Sequence, residues 1–359
     1  MRGQVDAFTY DALPARVVMG AGKRRDVAAE AGRLGCTHPL IVTTHDQTAL
    51  GDDIARQFDA GSTTLFAGAA MHTPWDVTQR ALDAAQSARA DCVVAIGGGS
   101  SIGLSKAVAL RTKLPQIVLP TTYAGSEVTP IIGETRDGQK HTQRTLEVLP
   151  EVVIYDVELT LSLPVALSVA SGLNATAHAV EALYATDANP VTSLMAEEGI
   201  AALAGSLPRI VGSPQSIEAR RLAQYGAWLC GTCLGTVGMG LHHKICHVLG
   251  GTFDLPHAQT HAVMIPHVVA YNAHAASHAM ARIARALNAP HAWTGLHKLA
   301  VELDAPRSLE VLGMPESGID RAVALIMQNT YSNPRVPDVR ALDHMLRQAW
   351  KGLPPEPMD

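Results

Sequence analysis

Five histidines lie between residues 241 and 261, in the stretch LHHKICHVLGGTFDLPHAQTH, beside a lysine and a cysteine. Imidazole nitrogens bind transition metals, and they also donate and accept protons near neutral pH. The stretch therefore indicates either a metal site or a site that uses imidazoles without a metal.

The bulk properties of the chain narrow the possible partners. A formal net charge of −5 argues against nucleic acid or an anionic membrane, because both favour basic surfaces. The sequence has neither an apolar run of the roughly 20 residues that span a membrane nor the apolar core of a signal peptide. Its five cysteines form no disulfide framework. We therefore expect a cytoplasmic protein with no nucleic acid or membrane partner.

The two halves of the 359-residue chain differ in pattern. Up to about residue 160, short apolar runs such as HPLIVTT, DCVVAIGGG and PQIVLPTT alternate with helical stretches, which predicts a parallel sheet covered by helices. After Pro164 the segments favour helix. The sequence predicts an α/β domain over residues 1–162 and an all-helical domain over residues 163–359 that carries the histidines.

Three consecutive glycines, Gly97, Gly98 and Gly99, stand between a buried strand and a helix start, followed by Ser100 and Ser101. Free N–H groups and the dipole at a helix N-terminus favour a phosphate, and either serine can cap the helix or bind the anion. The pattern is neither GxGxxG nor a P-loop, so we predict a nucleotide site that does not bind ATP. The alternative is an ordinary tight turn.

A second polar loop, PTTYAGSEVTP, follows the next strand, at the edge where open α/β sheets bind ligands. Thr121, Thr122 and Ser126 are predicted to contact phosphate, ribose or nicotinamide. These side chains also suit ordinary turns, which is the alternative interpretation.

Four motifs in this order resemble the iron-containing alcohol dehydrogenase family: GGGSSIGLSKA, PTTYAGSEVTP, GLNATAHAVEA and HHKICHVLGGTFDLPH. The stretches DALPARVVMGAGKRRD and GETRDGQKHTQRTLEVLPEVVIYD resemble the branch of that family that reduces maleylacetate. The resemblance covers nearly the whole chain. It implies a Rossmann-like dinucleotide-binding domain, an all-helical C-terminal domain with a cleft between the two, an architecture like that of dehydroquinate synthase, and a homodimer.

In the alcohol dehydrogenases of this family, one aspartate and three histidines bind a divalent metal. The matching positions are Asn174, His178, His243 and His257, and His247 matches an active-site histidine that is not a ligand. The Asn174 amide brings no negative charge, so no ligand would balance the positive charge of Fe²⁺ or Mg²⁺. Zn²⁺ can still bind to three histidines. We interpret the site as working without a metal, with weak or adventitious Zn²⁺ as the alternative.

The substrate that the resemblance implies does not require a Lewis acid. Its double bond is conjugated to a ketone, so hydride addition leaves an enolate, and protonation gives 3-oxoadipate. Preorganised imidazolium or ammonium groups can stabilise such an oxyanion. We therefore expect the vestigial metal positions His178, His243 and His257 to be catalytic.

A small dicarboxylate needs local cations, because the protein as a whole is acidic. The loop GQKHTQR supplies Lys140 and Arg144, and LHHKICH supplies Lys244 and His247. Arginine can grip a carboxylate with two hydrogen bonds, and lysine acts as a point charge. The alternative is a set of solvated surface charges.

Cofactor choice depends on the residue at the tip of the strand LIVTTHD, where an acidic side chain selects NAD over NADP. The family-matched position is Thr44, which is neutral, so the sequence predicts use of both NADH and NADPH.

Three other functions remain open at this point. The same fold could serve a metal-dependent alcohol dehydrogenase, a lyase related to dehydroquinate synthase, or a nucleotide sensor without catalytic activity. A sensor would not need the histidine cluster.

Overall fold

The computed structural model describes residues 7–328 and 331–358, apart from the side chain of Lys140. The chain forms two compact units. The first comprises Ala12–Leu163, and the second comprises the residues from Pro164 onward together with the described residues before Ala12. The division falls one residue after the predicted boundary between residues 162 and 163, and Ala7–Asp11 belong to the second unit.

Six parallel strands form the sheet of the first unit. The strands of this unit are β1 Arg16–Met19, β2 Pro39–Val42, β3 Thr64–Phe66, β4 Cys92–Gly97, β5 Gln116–Pro120, β6 Ile131–Arg136, β7 Gln139–Arg144 and β8 Val152–Tyr155. The order in the sheet is β1-β8-β5-β4-β2-β3, and β6 and β7 form a separate antiparallel pair. Strands β2, β4 and β5 are buried along their whole length, as their continuous apolar sequences predict.

Four α-helices accompany this sheet: α1 Val27–Arg33, α2 Thr48–Ala55, α3 Trp75–Ser87 and α4 Gly99–Thr112. The alternation of strand and helix confirms the predicted α/β class. The antiparallel hairpin β6–β7 was not predicted. Its turn, Asp137–Gly138, has φ values of 52° and 74°, which is the left-handed geometry that favours Asp-Gly in two-residue hairpins.

The second unit contains helices and no strand among its described residues. These helices are α5 Val165–Ala182, α6 Pro190–Gly212, α7 Ile217–Thr236, α8 Leu241–Phe253, α9 His257–Tyr271, α10 Ser277–Ala286, α11 Ala292–Glu302, α12 Ile319–Gln328 and α13 Val339–Lys351. The all-helical prediction is confirmed. The segment SIEARRLAQYGAWLCGTCLGTVGMGLHHKICHVLG, residues 216–250, favours helix throughout, but it forms two helices, because the backbone is extended at Val237 and α8 starts only after Gly240.

Helix α5 is the central helix of this unit. It packs against α6, α7 and α9, and small residues such as Ala175, Ala177 and Ala179 are fully buried within it. Small side chains let neighbouring helices surround α5, so the polar residues on this helix are buried as well. Among the described residues, no helix combines the length and the apolar character needed to cross a membrane.

Candidate active site

Helix α5 places Asn174 and His178 one turn apart, and both side chains are buried. Asn174 Oδ1 and His178 Nδ1 have no hydrogen-bond partner in the described part of the chain. A buried polar atom without a partner costs free energy, and an atom of this kind commonly marks a place where a ligand, an ion or a water completes the contact. The two side chains therefore form one wall of a candidate site.

Helix α8 brings His243 to the same place. The ring centroid of His243 lies 5.1 Å from that of His178 and 4.9 Å from that of His261 on α9. Nε2 of His243 is buried, with no partner among the described atoms. His243 and His178 thus converge from different helices and leave nitrogen atoms available to a ligand.

The remaining predicted histidines lie on the exposed side of this cluster. His257 begins α9, with its ring centroid 4.4 Å from that of His261 and 6.2 Å from that of His247 on α8. His247 and His257 are exposed, whereas His178, His243 and His261 are buried. The structure brings together the four predicted catalytic histidines, in a series that runs from the interior of the unit to its surface.

Burial keeps several of these imidazoles neutral. It lowers the pKa of His178, His242 and His261 well below the usual value, and the neighbouring imidazoles lower it further. The reason is that a second positive charge in a dry cluster of imidazoles is unfavourable. These three rings are therefore uncharged at neutral pH.

Three members of the cluster, Glu181, His242 and His261, were given no role by the sequence. The Glu181 carboxylate, one turn after His178 on α5, contacts the His243 imidazole, and His261 shares a 2.9 Å hydrogen bond with His242. The available signal for Glu181 was a lone acidic residue in an otherwise uncharged helix, three positions after His178. For His261 the signal was its position four residues after His257, on the same helix face.

The residues at the four positions that the resemblance assigns to a metal are Asn174, His178, His243 and His257. Asn174 supplies an amide in place of a carboxylate, and His257 packs against His247 and His261 on the exposed side. Among the described residues, His242, Cys246 and His261 form a set whose possible metal-binding atoms all lie within 4.8 Å of one another. This set includes none of the four positions above. A neutral and spread donor set does not fit Fe²⁺, which favours charged oxygen ligands beside imidazole.

The cations predicted to bind carboxylates lie on both units. Arg144 ends β7 and is exposed, and the side chain of Lys140 on the same strand lies outside the described residues. Lys244 on α8 places its Nζ atom 5.7 Å from the ring centre of Tyr331, which is within cation–π distance.

The glycine turn joins β4 to α4. Gly97 is the last residue of the strand, Gly98 precedes the helix, and Gly99 is its first residue. A Cβ atom built on Gly99 meets no described atom within 4 Å, so the start of the helix is open. Ser101 Oγ is buried without a partner in the described part of the chain. An open helix start of this kind fits a phosphate group.

Ser100 and Ser101 lie inside the first turn of α4. The residue that precedes this helix, Gly98, has no side chain and makes no side-chain cap. Neither serine therefore caps the helix, which was one of the two roles predicted for them.

The threonines of the second polar loop lie beside the glycine turn. Thr121 Oγ1 accepts a 3.2 Å hydrogen bond from the Gln47 side chain, and the Thr122 methyl group lies 3.0 Å from an ideal Cβ on Gly98. Thr44 immediately precedes the helical turn His45–Gln47 that supplies Gln47. The predicted cofactor residues at the ends of β2, β4 and β5 thus form one edge of the sheet.

The loop PTTYAGSEVTP is held in place by Lys106. It lies on α4, fully buried, and its Nζ donates to the carbonyl oxygens of Ser126 at 2.6 Å, Thr129 at 2.7 Å and Ile131 at 2.8 Å. Burial lowers the pKa of Lys106 to about 7. This lysine anchors the loop from within, and the Ser126 carbonyl is one of its acceptors.

Comparison with known proteins places both units in one family. Residues 14–157 match the family described as iron-containing alcohol dehydrogenase, and residues 168–350 match the family described as Fe-containing alcohol dehydrogenase, C-terminal. A maleylacetate reductase from Rhizobium sp. (strain MTP-10005) is 51% identical over 97% of this chain and 99% of that protein. One from Sphingobium indicum is also 51% identical, over 97% and 99%. The crystal structure of maleylacetate reductase from Agrobacterium tumefaciens superposes with a TM-score of 0.95 at 51% identity, covering 98% of this chain and 100% of that one.

Proposed function

The chain belongs to the iron-containing alcohol dehydrogenase family, and we propose that it reduces maleylacetate to 3-oxoadipate with NADH or NADPH. Family membership makes it an oxidoreductase. The observation that carries the substrate proposal is the buried pair His178 and His243 beside Asn174, where the family has an acidic metal ligand. Relatives named maleylacetate reductase match the chain over nearly its whole length.

The protein's own groups can stabilise the enolate that this reduction forms. Reducing a double bond conjugated to a ketone moves negative charge onto the ketone oxygen, and a hydrogen-bond donor at that oxygen stabilises the enolate. The imidazolium form of His243 is the candidate donor, because its Nε2 atom is buried and has no partner among the described atoms. The exposed His247 and His257 are the candidates to supply a proton to the carbon next to the ketone.

The cofactor is assigned to the edge of the sheet where the glycine turn lies. The backbone at Gly97, Gly98 and Gly99 would hold the pyrophosphate, and Thr121 and Thr122 lie beside that turn. When bound, the nicotinamide supplies the hydride.

The direct test is an assay of NADH oxidation with maleylacetate on the purified protein. We expect one 3-oxoadipate formed for each NADH consumed. Consumption of NADH with simple aldehydes but not with maleylacetate would favour the metal-dependent alcohol dehydrogenase instead.

Arg144 provides a test of substrate binding. Arg144→Ala should raise KM for maleylacetate about tenfold with little change in kcat, because a grip on a carboxylate that does not react is made in the ground state and the transition state alike. The matched control is Arg136→Ala on the partner strand of the hairpin, whose guanidinium lies over Trp75. A change in kcat/KM of less than about twofold for Arg144→Ala would make Arg144 a solvated surface charge.

Metal content is the second test. We expect well under one metal ion per chain and full activity in EDTA, although the family is described as iron-containing. Asn174→Asp should raise the affinity for Zn²⁺ at least about tenfold, since it restores a charged ligand. Asn189→Asp, at the cap of α6, is the matched control. A stoichiometric metal that activity requires would contradict the metal-free proposal.

Cofactor choice gives the third test. The wild type should use NADH and NADPH within about tenfold of each other, because Thr44 places no charge at the end of β2. Thr44→Asp should weaken NADPH use about tenfold and spare NADH, whereas the neutral Thr44→Asn should change neither. If the wild type already rejects NADPH, another residue sets the choice. Steady-state kinetics with both cofactors measures this.

A further inference from the structure

Glu181 makes a set of contacts that reaches from α5 to the start of α8. Its side chain is fully buried. The carboxylate accepts hydrogen bonds from the backbone N–H groups of His242 at 2.8 Å and His243 at 3.3 Å. It also accepts the Nδ1–H of the His243 imidazole. One buried carboxylate thus binds both the backbone and the ring of the residue to which we assign the reaction.

The sequence around α8 accommodates this carboxylate. A Cβ atom on Gly240 would lie 3.0 Å from Glu181 Oε1 and 2.9 Å from the carbonyl oxygen of Ser332. Glycine at position 240 therefore lets the side chain of Glu181 approach the first turn of α8. A negative charge is favourable there, because the N–H groups of a helix N-terminus point toward it.

Capping alone does not account for a buried charge at this place. Neutral side chains cap two other helices of the same unit, Asn189 at α6 and Ser216 at α7, and the carboxylate that caps α13, Asp338, is exposed. Burying a carboxylate costs several kcal/mol unless hydrogen bonds or a counter-charge compensate it. What the carboxylate adds here, beyond a cap, is its bond to the imidazole.

That bond fixes which nitrogen of His243 faces outward. With Nδ1–H donated to Glu181, the ring cannot turn over, and Nε2 is the atom left for a ligand. The same ring stands 5.1 Å from His178 and 4.9 Å from His261, centroid to centroid. A carboxylate that orients an imidazole in this way is a recurrent device in enzymes.

We propose that Glu181 is a positioning residue for the reduction, which holds the His243 imidazolium so that its Nε2–H is directed at the ketone oxygen of the substrate. This proposal rests on the proposed function and deepens it. Glu181 touches neither the substrate nor the cofactor; it acts through His243.

A double-mutant cycle tests this role. Glu181→Gln keeps an oxygen for the backbone N–H groups but turns an NH₂ group toward Nδ1, so it should lower kcat about ten- to a hundredfold with KM for NADH within about threefold. In a His243→Ala background, the same change should cost less than about twofold, because its target is gone. Glu197→Gln, which breaks an ion pair with Arg282 and Arg285 on the same unit, should leave kcat unchanged.

If Glu181→Gln fails to fold, a measurement on the wild type still tests the proposal. Long-range ¹H–¹⁵N spectra of histidine-labelled protein, with His243 assigned by its loss in His243→Gln, should show a proton on Nδ1. An unprotonated Nδ1, a kcat for Glu181→Gln within about twofold of the wild type, or an equal loss in the His243→Ala background would overturn the proposal. A wild type that does not oxidise NADH with maleylacetate would instead refute the proposed function, and the spectra would still test the bond between Glu181 and His243.

Discussion

Replacing His243 with alanine is expected to lower kcat for maleylacetate about 10²- to 10³-fold, which is the usual loss when one oxyanion donor or general acid is removed. KM should change less, because the hydrogen bond to the ketone oxygen strengthens only as negative charge develops there. Steady-state kinetics with saturating NADH measures both constants. NADH affinity should survive, since the residues assigned to the cofactor lie in the other unit.

A buried histidine outside the cluster provides a control that distinguishes a loss of catalysis from a loss of stability. His267 on α9 is also buried, and its pKa is lowered to about 4 by burial and by His297. His267→Ala should therefore destabilise the helical unit through a cavity, as we expect for His243→Ala, but without the loss in kcat. Equal losses in kcat for the two variants would mean that His243 has no specific part in the reaction.

Apolar runs in the sequence predict five of the six strands of the parallel sheet: β2, β4, β5 and β8, which are buried along their whole length, and the partly buried edge strand β3, in TTLFAGA. The segments of β2, β4 and β5 are continuous apolar runs that end in turn residues, so local sequence determines them. Strand β1, RVVM, at the edge of the sheet, was not predicted. The hairpin strand QKHTQR was missed because it is polar throughout, so its sequence shows no alternation of apolar and polar residues.

The candidate site could be predicted only in part, for a similar reason. The spacing of Asn174 and His178 puts both on one helix face, and the histidines of α8 and α9 are close in sequence. The contact between Glu181 and His243 joins residues 62 positions apart and depends on how α8 meets α5. Sequence periodicity does not specify such a pairing. The homodimer and the cytoplasmic location stay predictions.

Gly97→Ala is expected to raise KM for NADH about ten- to a hundredfold and to lower the melting temperature. The φ angle of Gly97 is 143°, a conformation that costs residues with a side chain on the order of 1–3 kcal/mol. An ideal Cβ there would also lie 2.4 Å from Ser101 Oγ and 2.8 Å from Gln47 Oε1. The turn must therefore move, and with it the backbone N–H groups that we assign to the pyrophosphate. NADH titrations and thermal unfolding measure the two effects.

Gly99→Ala is the variant that separates a phosphate site from an ordinary tight turn. A Cβ on Gly99 meets no described atom within 4 Å, and alanine favours helix over glycine by up to about 1 kcal/mol. The melting temperature should therefore hold or rise slightly. If the pyrophosphate lies over the start of α4, the added methyl group occupies its space, and KM for NADH should rise at least about tenfold in a protein that is fully stable. An unchanged KM would leave the glycine turn as a structural feature of the sheet edge, and the cofactor would have to be placed elsewhere.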